Sequence, residues 1–453
     1  MADLQHFDVA IIGGGPAGQA AAVALSGHGL SIAVIDEQPR PGGQILRQPP
    51  ARFAVQAWLE GRSYAPLKQL LARFQALSGI TWLGEHSVIG VQQGSVMAMG
   101  PEGVTTISAR HILIAAGCQD LAVPVSGWTL PGVYAAGGIQ AFLKGQQLLV
   151  GSRVLLAGTH PLQLLIAAQI VAAGGTVAAV MFAQPRSAMI GALTKHPLAA
   201  LRRAPDLLAT AGALRTLARA GTPVLFGAKI EALTGNDRVS GAITNQGQVA
   251  CDAVGLCYGF VPQSAVPRMA GAQMKPAGPA GGWACVHDEW MRTSVPGIAA
   301  AGEAVGVAGA AAAAAGGSLA GIAIALDLGL IDADAADRAA RQPRRALLQH
   351  RAFAALLDAA ADPTDHFPKP AGDTIICRCE DVDHATLTGQ VSAGGSANAI
   401  KLATRCGMGA CQGRNCEPSL LRMIAETGPG SDPGFTARFP ARQVSIADLL
   451  PPE

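Results

Sequence analysis

Residues 7–36 read FDVAIIGGGPAGQAAAVALSGHGLSIAVID, and this stretch decides the fold. Phe7 to Ile12 is a short apolar run rich in β-forming residues, predicted as a strand, and Gly13-Gly14-Gly15-Pro16-Ala17-Gly18 follows it directly. QAAAVALSG then has helical character, and LSIAVID predicts a second strand ending in Asp36 and Glu37. A glycine loop between a strand and a helix, inside a complete βαβ unit, is the dinucleotide-binding signature. Gly13 permits the sharp turn, Gly15 lets a pyrophosphate reach the backbone, and Gly18 lets helix and strand pack closely. The helix N-terminus favours the phosphate charge. Asp36 stands where a carboxylate accepts hydrogen bonds from a ribose hydroxyl. The class is therefore α/β.

Working outward, EQPRPGGQI follows the acid and carries Gly43 and Gln44, RHILIAAGC carries Gly117, and TSVPGIAAAGEAVGVAGA carries Gly302-Glu303. In this order the three segments resemble the two-dinucleotide-binding-domain flavoproteins, which are Rossmann-like with a second nucleotide domain inserted into a discontinuous FAD domain. The resemblance implies FAD, held by Gly13, Gly15, Pro16, Ala17, Gly18, Asp36, Glu37, Gly43, Gln44, Val88, Gly117, Gly302 and Glu303. Glu303 would bind the ribityl chain.

Val154 to Leu165, VLLAGTHPLQLL, has the outline of the second nucleotide loop, but His160 stands where the close-approach glycine belongs. An imidazole there occupies the space a pyrophosphate needs. The next strand, TVAAVMFAQPR, ends without a carboxylate for the ribose. These residues predict a retained βαβ fold without ordinary NAD(P) binding. No CxxC or CxxxxC pair lies in this part of the chain, which disfavours dithiol–disulfide chemistry. The ten histidines are dispersed, and none is assigned a catalytic role.

Five of the nine cysteines crowd into IICRCEDV and TRCGMGACQGRNCEP near the C-terminal end. Such crowding argues for metal rather than disulfides in a reducing compartment. The close pairs are Cys377-x-Cys379 and Cys411-x4-Cys416; Cys406 falls outside them. Four thiolates suit either zinc or a [2Fe-2S] cluster. CRCEDV with TRCGMGACQGRNC resembles the bacterioferritin-associated-ferredoxin-like [2Fe-2S] domain, a small and mostly helical module. That resemblance implies Cys377, Cys379, Cys411 and Cys416 as the cluster ligands. Fusion of the two parts, with GWTLPGVYAAGGIQ, CYGFVP and ARQVSIADLL, is similar to the FAD-containing α subunits of heteromeric dye-linked dehydrogenases. Hydrogen cyanide synthase, opine oxidase and D-hydroxyproline or proline dehydrogenase are of this type. The implied partners are a substrate-oxidising flavoprotein subunit and a small ferredoxin-like subunit. In some relatives the second site holds another nucleotide, such as ATP.

The expected organisation is an FAD domain over 1–120 and 255–330, a degenerate NAD(P)-like domain over 121–254, a connector and linker over 331–372, the cluster domain over 373–430 and a tail over 431–453. With 50% hydrophobic residues and 33 basic against 31 acidic side chains, the chain can fill large cores, and its charge balance points to no nucleic-acid partner. The N-terminal residues lack signal-peptide character, so a cytoplasmic location is expected. Ala304 to Leu326 is uncharged for 23 residues, but 16 of them are Ala or Gly, and this segment is expected to be a buried helix rather than a transmembrane segment. The expected function is an electron-transfer subunit, because FAD takes up electron pairs and an Fe–S centre accepts single electrons. Two other classes remain open: a self-contained NAD(P)H:acceptor oxidoreductase and a zinc-containing assembly scaffold.

Overall fold

Val9, Ala10, Ile11 and Ile12 are all buried, as are Ile32 to Ile35, so these strands are covered on both faces. Continuous apolar runs of this kind are what a parallel sheet beneath helices demands. In the computed structural model, which describes residues 4–449 except 51, 54, 56–58, 60, 62–63 and 429–431, they form the centre of a seven-stranded sheet. Its order is Ile80–Leu83, Ile32–Ile35, Leu4–Ile12, Gly103–Ile114, Ser95–Gly100, Ser87–Gln92. The far end of Gly103–Ile114 also pairs in parallel with Ile298–Ala300, so a strand from late in the chain completes the first sheet.

The second sheet is parallel throughout, in the order Val224–Phe226, Thr176–Phe182, Arg153–Gly158, Ala253–Cys257, Val133–Ala135. A three-stranded antiparallel excursion spans Ile230–Gly235, Val239–Thr244 and Gly247–Ala250. The chain passes between the two sheets twice, and the two passages lie side by side: Cys118–Asp120 pairs antiparallel with Phe260–Pro262. Ala253–Cys257 is a strand of the second sheet, so the return follows it.

Packing explains the Ala- and Gly-rich run. Helix Ala310–Asp327 lies against the first helix, Pro16–Leu25. A Cβ on Gly317 would sit 2.0 Å from the Ala17 carbonyl oxygen, and one on Gly321 would sit 2.7 Å from that of Ala21. Small residues are needed because the two backbones nearly touch. Among the described residues this is the one helix long and apolar enough to cross a membrane, and 67% of that window is buried inside the protein.

Residues Ala333–Ala361 form a single long helix. Asp332 caps it by accepting from the Ala335 amide at 2.7 Å. It packs on Ala310–Asp327 and on helices Arg186–Lys195 and Pro197–Arg202 of the inserted domain, bracing one half against the other. The cysteine module follows, with a short hairpin (Ile375–Cys377, Val382–Asp383) and helices His384–Ser392, Ala397–Thr404 and Glu417–Thr427. Its core is Ile376, Leu387, Val391, Ile400, Leu420 and Phe435. The mostly helical module expected from the sequence is therefore present.

Candidate cofactor sites

The first glycine loop is built as the strand–loop–helix pattern requires. Gly13 takes φ +108° and its amide donates to the Ile35 carbonyl at 2.8 Å. A Cβ on Gly13 would lie 2.3 Å from the Ala115 carbonyl oxygen, and one on Gly18 would lie 2.0 Å from that of Gly13. These two glycines serve backbone packing. Gly15 differs: the nearest atom to a Cβ there is the Gly43 Cα at 3.7 Å. Gly15 and Gly43 pack backbone against backbone, a Cβ on Gly43 lying 2.8 Å from the Gly15 Cα, and they leave the N-terminus of the helix that has Pro16 in its first turn bare of side chains. Ala17 and Gly18 are buried along that helix.

Asp36 is turned onto its own loop, accepting from the Gly14 amide at 2.6 Å and the Gln38 amide at 2.7 Å. Burial raises its pKa, and these two amides oppose the rise. Glu37 pairs with Arg442 from the C-terminal segment. Gln44 is exposed and accepts from Arg47 at 2.8 Å. Val88 is paired with Ala98, and its side chain is buried in the core.

Gly117 closes the strand that crosses between the domains, with φ +76° and open space around it. Beside it, the Cys118 thiol donates to Glu303 Oε2 at 2.9 Å. Glu303 sits in the turn Gly302–Val305, where burial raises its carboxyl pKa while the Cys118 thiol and the Gly309 amide lower it. A cleft runs past Gly302, Glu303, Gly306 and Gly309 and reaches Leu347 and Arg351 of the long helix. A helix N-terminus bare of side chains and a buried acid in the cleft beyond it fit FAD. All thirteen positions expected at the flavin lie in this half of the molecule, with Val88 and Glu37 farther from free side-chain contact than the sequence suggested.

The second loop is closed upon itself. The Thr159 and His160 amides both donate to the Cys257 carbonyl, at 2.9 and 3.0 Å, and the Gln163 and Leu164 amides bond back to His160 and Pro161. His160 Nδ1 accepts from the Leu162 amide at 3.2 Å, and its ring packs edge-on against Phe260. Burial lowers the imidazole pKa to about 4, so the ring is neutral. Where a ribose-binding acid would stand, buried Gln184 donates to the Thr159 carbonyl at 2.6 Å and to Ala360 of the long helix at 2.9 Å. From Thr159 to Leu164 no amide is left for a pyrophosphate.

In the C-terminal module the sulfurs of Cys377, Cys406 and Cys416 lie within 4.8 Å of one another, all three buried. Cys379 and Cys411 form a second, more exposed pair. Cys406, Cys416 and the Gly407 and Glu380 amides, all directed at the Cys377 sulfur, favour its thiolate form. The Gly413 and Asn415 amides approach Cys411. The Phe435 ring covers this loop so closely that a Cβ on Gly407 or Gly413 would lie 2.4 or 2.5 Å from it. Thiols converging in a small space, with backbone amides aimed at sulfur, fit an iron–sulfur cluster. Cys406, outside the close sequence pairs, is nevertheless turned fully inward.

The module docks on the flavin half. Gln119, next to Cys118, donates to the Arg414 carbonyl at 2.7 Å and accepts from Gln263 at 2.9 Å. The Arg414 amide in turn donates to the Cys411 carbonyl at 3.2 Å. Arg268 reaches both carboxylate oxygens of Glu417, at 3.0 and 3.2 Å, and Trp128, from the inserted domain, donates to the Ile375 carbonyl at 2.6 Å. Local sequence patterns carried no signal for Gln119, Gln184 or Arg268, since each has a partner more than a hundred residues away.

Comparison with known proteins agrees with both sites. Residues 7–320 match the pyridine nucleotide-disulphide oxidoreductase family. The chain belongs to that family. Its FAD-dependent oxidoreductase part is followed by a BFD-like [2Fe-2S] binding domain over residues 375–426. An opine oxidase subunit of Rhizobium meliloti (strain 1021) is 33% identical to it, over 98% of this chain and 99% of that one. The chain is also 30% identical to hydrogen cyanide synthase subunit HcnB of Pseudomonas protegens, with 97% of each covered. Among solved structures, L-proline dehydrogenase from P. horikoshii shares the fold, with a TM-score of 0.71 and 22% identity over 100% of this chain and 81% of that one.

Proposed function

We propose that this chain is the FAD and [2Fe-2S] electron-transfer subunit of a heteromeric dehydrogenase or oxidase that breaks the C–N bond of an amine, opine or imino acid, with the substrate oxidised on a partner flavoprotein subunit. The observation that carries the reading is the docking of the cysteine module on the flavin half through Gln119 and Arg414. Relatives along nearly the whole chain are named as subunits of opine oxidase and hydrogen cyanide synthase, which supports a partner chain.

FAD when bound takes up an electron pair and the cluster passes electrons singly. The chain's own residues have separable tasks. Gly15 and Gly43 would leave the helix N-terminus bare for the pyrophosphate, and Gly302 and Glu303 would hold the ribityl chain. Cys377, Cys379, Cys411 and Cys416 would ligate the iron. Gln119–Arg414 would hold the cysteine module beside the Cys118–Glu303 pair of the flavin half. A closed loop at Thr159–Leu164 denies NAD(P)H a seat, so electrons enter from the partner; the same closure speaks against a second nucleotide, such as ATP, at that loop.

Stopped-flow mixing of the isolated chain with NADH or NADPH is expected to leave the flavin oxidised. An amine or imino-acid substrate is expected to bleach it when the co-purifying partner is added. Rapid, saturable bleaching by either nucleotide would replace this reading with the self-contained reductase, and zinc without iron and sulfide would replace it with the scaffold.

A further inference from the structure

Five thiols, one more than a [2Fe-2S] cluster uses, surround the cysteine site, and they are unevenly divided. Cys379 and Cys411 stand as a pair, whereas Cys377, Cys406 and Cys416 are a buried trio with sulfurs within 4.8 Å. The backbone turns Cys406 into the trio: Arg405 at φ +66° and Gly407 at φ +86° flank it, and its side chain is fully buried. Arg405 is the left-handed cap that ends helix Ala397–Thr404, its amide donating to the Lys401 carbonyl, and that turn carries Cys406 inward.

We propose that Cys406 is a reserve ligand that takes the iron position of Cys416 when the Cys416 sulfur is removed by substitution. The inference rests on the cluster reading above. Its geometric basis is the trio: with Cys416 removed, Cys377 and Cys406 still present two sulfurs on that side, while Cys379 and Cys411 serve the other. The exchange is balanced without redox change. The Cys406 S–H bond breaks, its proton leaves to solvent, and an iron–sulfur bond forms where the bond to Cys416 was. Cys411 has no such neighbour: among the described residues no third thiol groups with it and Cys379.

The test compares variants of the full chain by iron, inorganic sulfide and EPR of the dithionite-reduced protein, with flavin content and circular dichroism as checks of folding. Cys416→Ala is expected to keep at least half of the iron and sulfide of the unsubstituted chain, with altered g-values. Cys411→Ala and the double variant Cys406→Ala/Cys416→Ala are expected to fall below a tenth. Should Cys416→Ala fail to fold, near-isosteric Cys416→Ser gives the same comparison, with Fe–S stretching bands in resonance Raman separating four thiolate ligands from three. Iron and sulfide in the unsubstituted chain, together with a Cys416→Ala protein as empty as Cys411→Ala, would overturn the reserve role alone. Zinc in their place in the unsubstituted chain would overturn the cluster reading and the reserve role with it.

Discussion

Gly15 and Gly18 stand three residues apart in one loop and do different work. A Cβ at Gly18 collides with the Gly13 carbonyl at 2.0 Å, so Gly18→Ala is expected to cost about 1–3 kcal/mol of stability through overpacking. A Cβ at Gly15 meets only ordinary contact, and Gly15→Leu is therefore expected to fold yet cover the bare helix N-terminus. Flavin absorbance after gel filtration checks this; full occupancy in folded Gly15→Leu would place the pyrophosphate elsewhere. His160 has its own signature. Its folded pKa, about 4, lies below the ordinary histidine value of 6.5, so the folded state resists a proton that the unfolded state accepts. The resulting stability is fully present above pH 6.5, declines as pH falls, and is lost below about 4, a span of roughly 3 kcal/mol. Urea midpoints should thus drop less between pH 7 and pH 4.5 for His160→Gln than for the unsubstituted chain. Both glycines and His160 were legible from spacing alone. Cys406 was visible as a fifth cysteine, but its inward turn depends on the backbone at Arg405 and Gly407, which spacing does not encode.

At the scale of elements, the first βαβ unit was readable because its strands are continuous apolar runs and its loop is all small residues. In the second unit the histidine and the missing acid were readable, but the manner of closure was not. Gln184 ties the strand end to Ala360, which is 176 positions away, and the Thr159 and His160 amides are spent on Cys257. Removing the imidazole therefore does not reopen the loop. His160→Gly is expected to leave NADH binding undetectable by calorimetry, and a dissociation constant in the micromolar range would show that the imidazole was the only obstacle. The long connector was expected to be helical from its polar pattern. That it braces the inserted domain emerges only from packing, since helix periodicity reveals an apolar face without naming the partner of that face.

For the whole molecule, the decisive feature is where the cysteine module sits. Its existence was legible from a run of cysteines and glycines; its seat was not, because single polar residues scattered along the flavin half make the contacts. Arg268 is the strongest of these. Its guanidinium is 14% exposed and the Glu417 carboxylate 12%, and it also donates to the carbonyls of Pro433 and Phe435. Deleting one partner of a buried pair leaves the other charge uncompensated, at a cost of about 3–5 kcal/mol. Glu417 keeps the Phe435 amide at 2.6 Å but loses its cation. Neither cofactor site includes Arg268, so Arg268→Ala should retain flavin, iron and sulfide. With the module loosened, the Gln119–Arg414 contact opens and the path between the centres lengthens. Reduction of the flavin by the partner should then proceed at the unsubstituted rate while reduction of the cluster, followed at its own absorption band, slows at least tenfold. Equal rates at both bands would mean that electrons reach the cluster by a route that does not pass through this docked face.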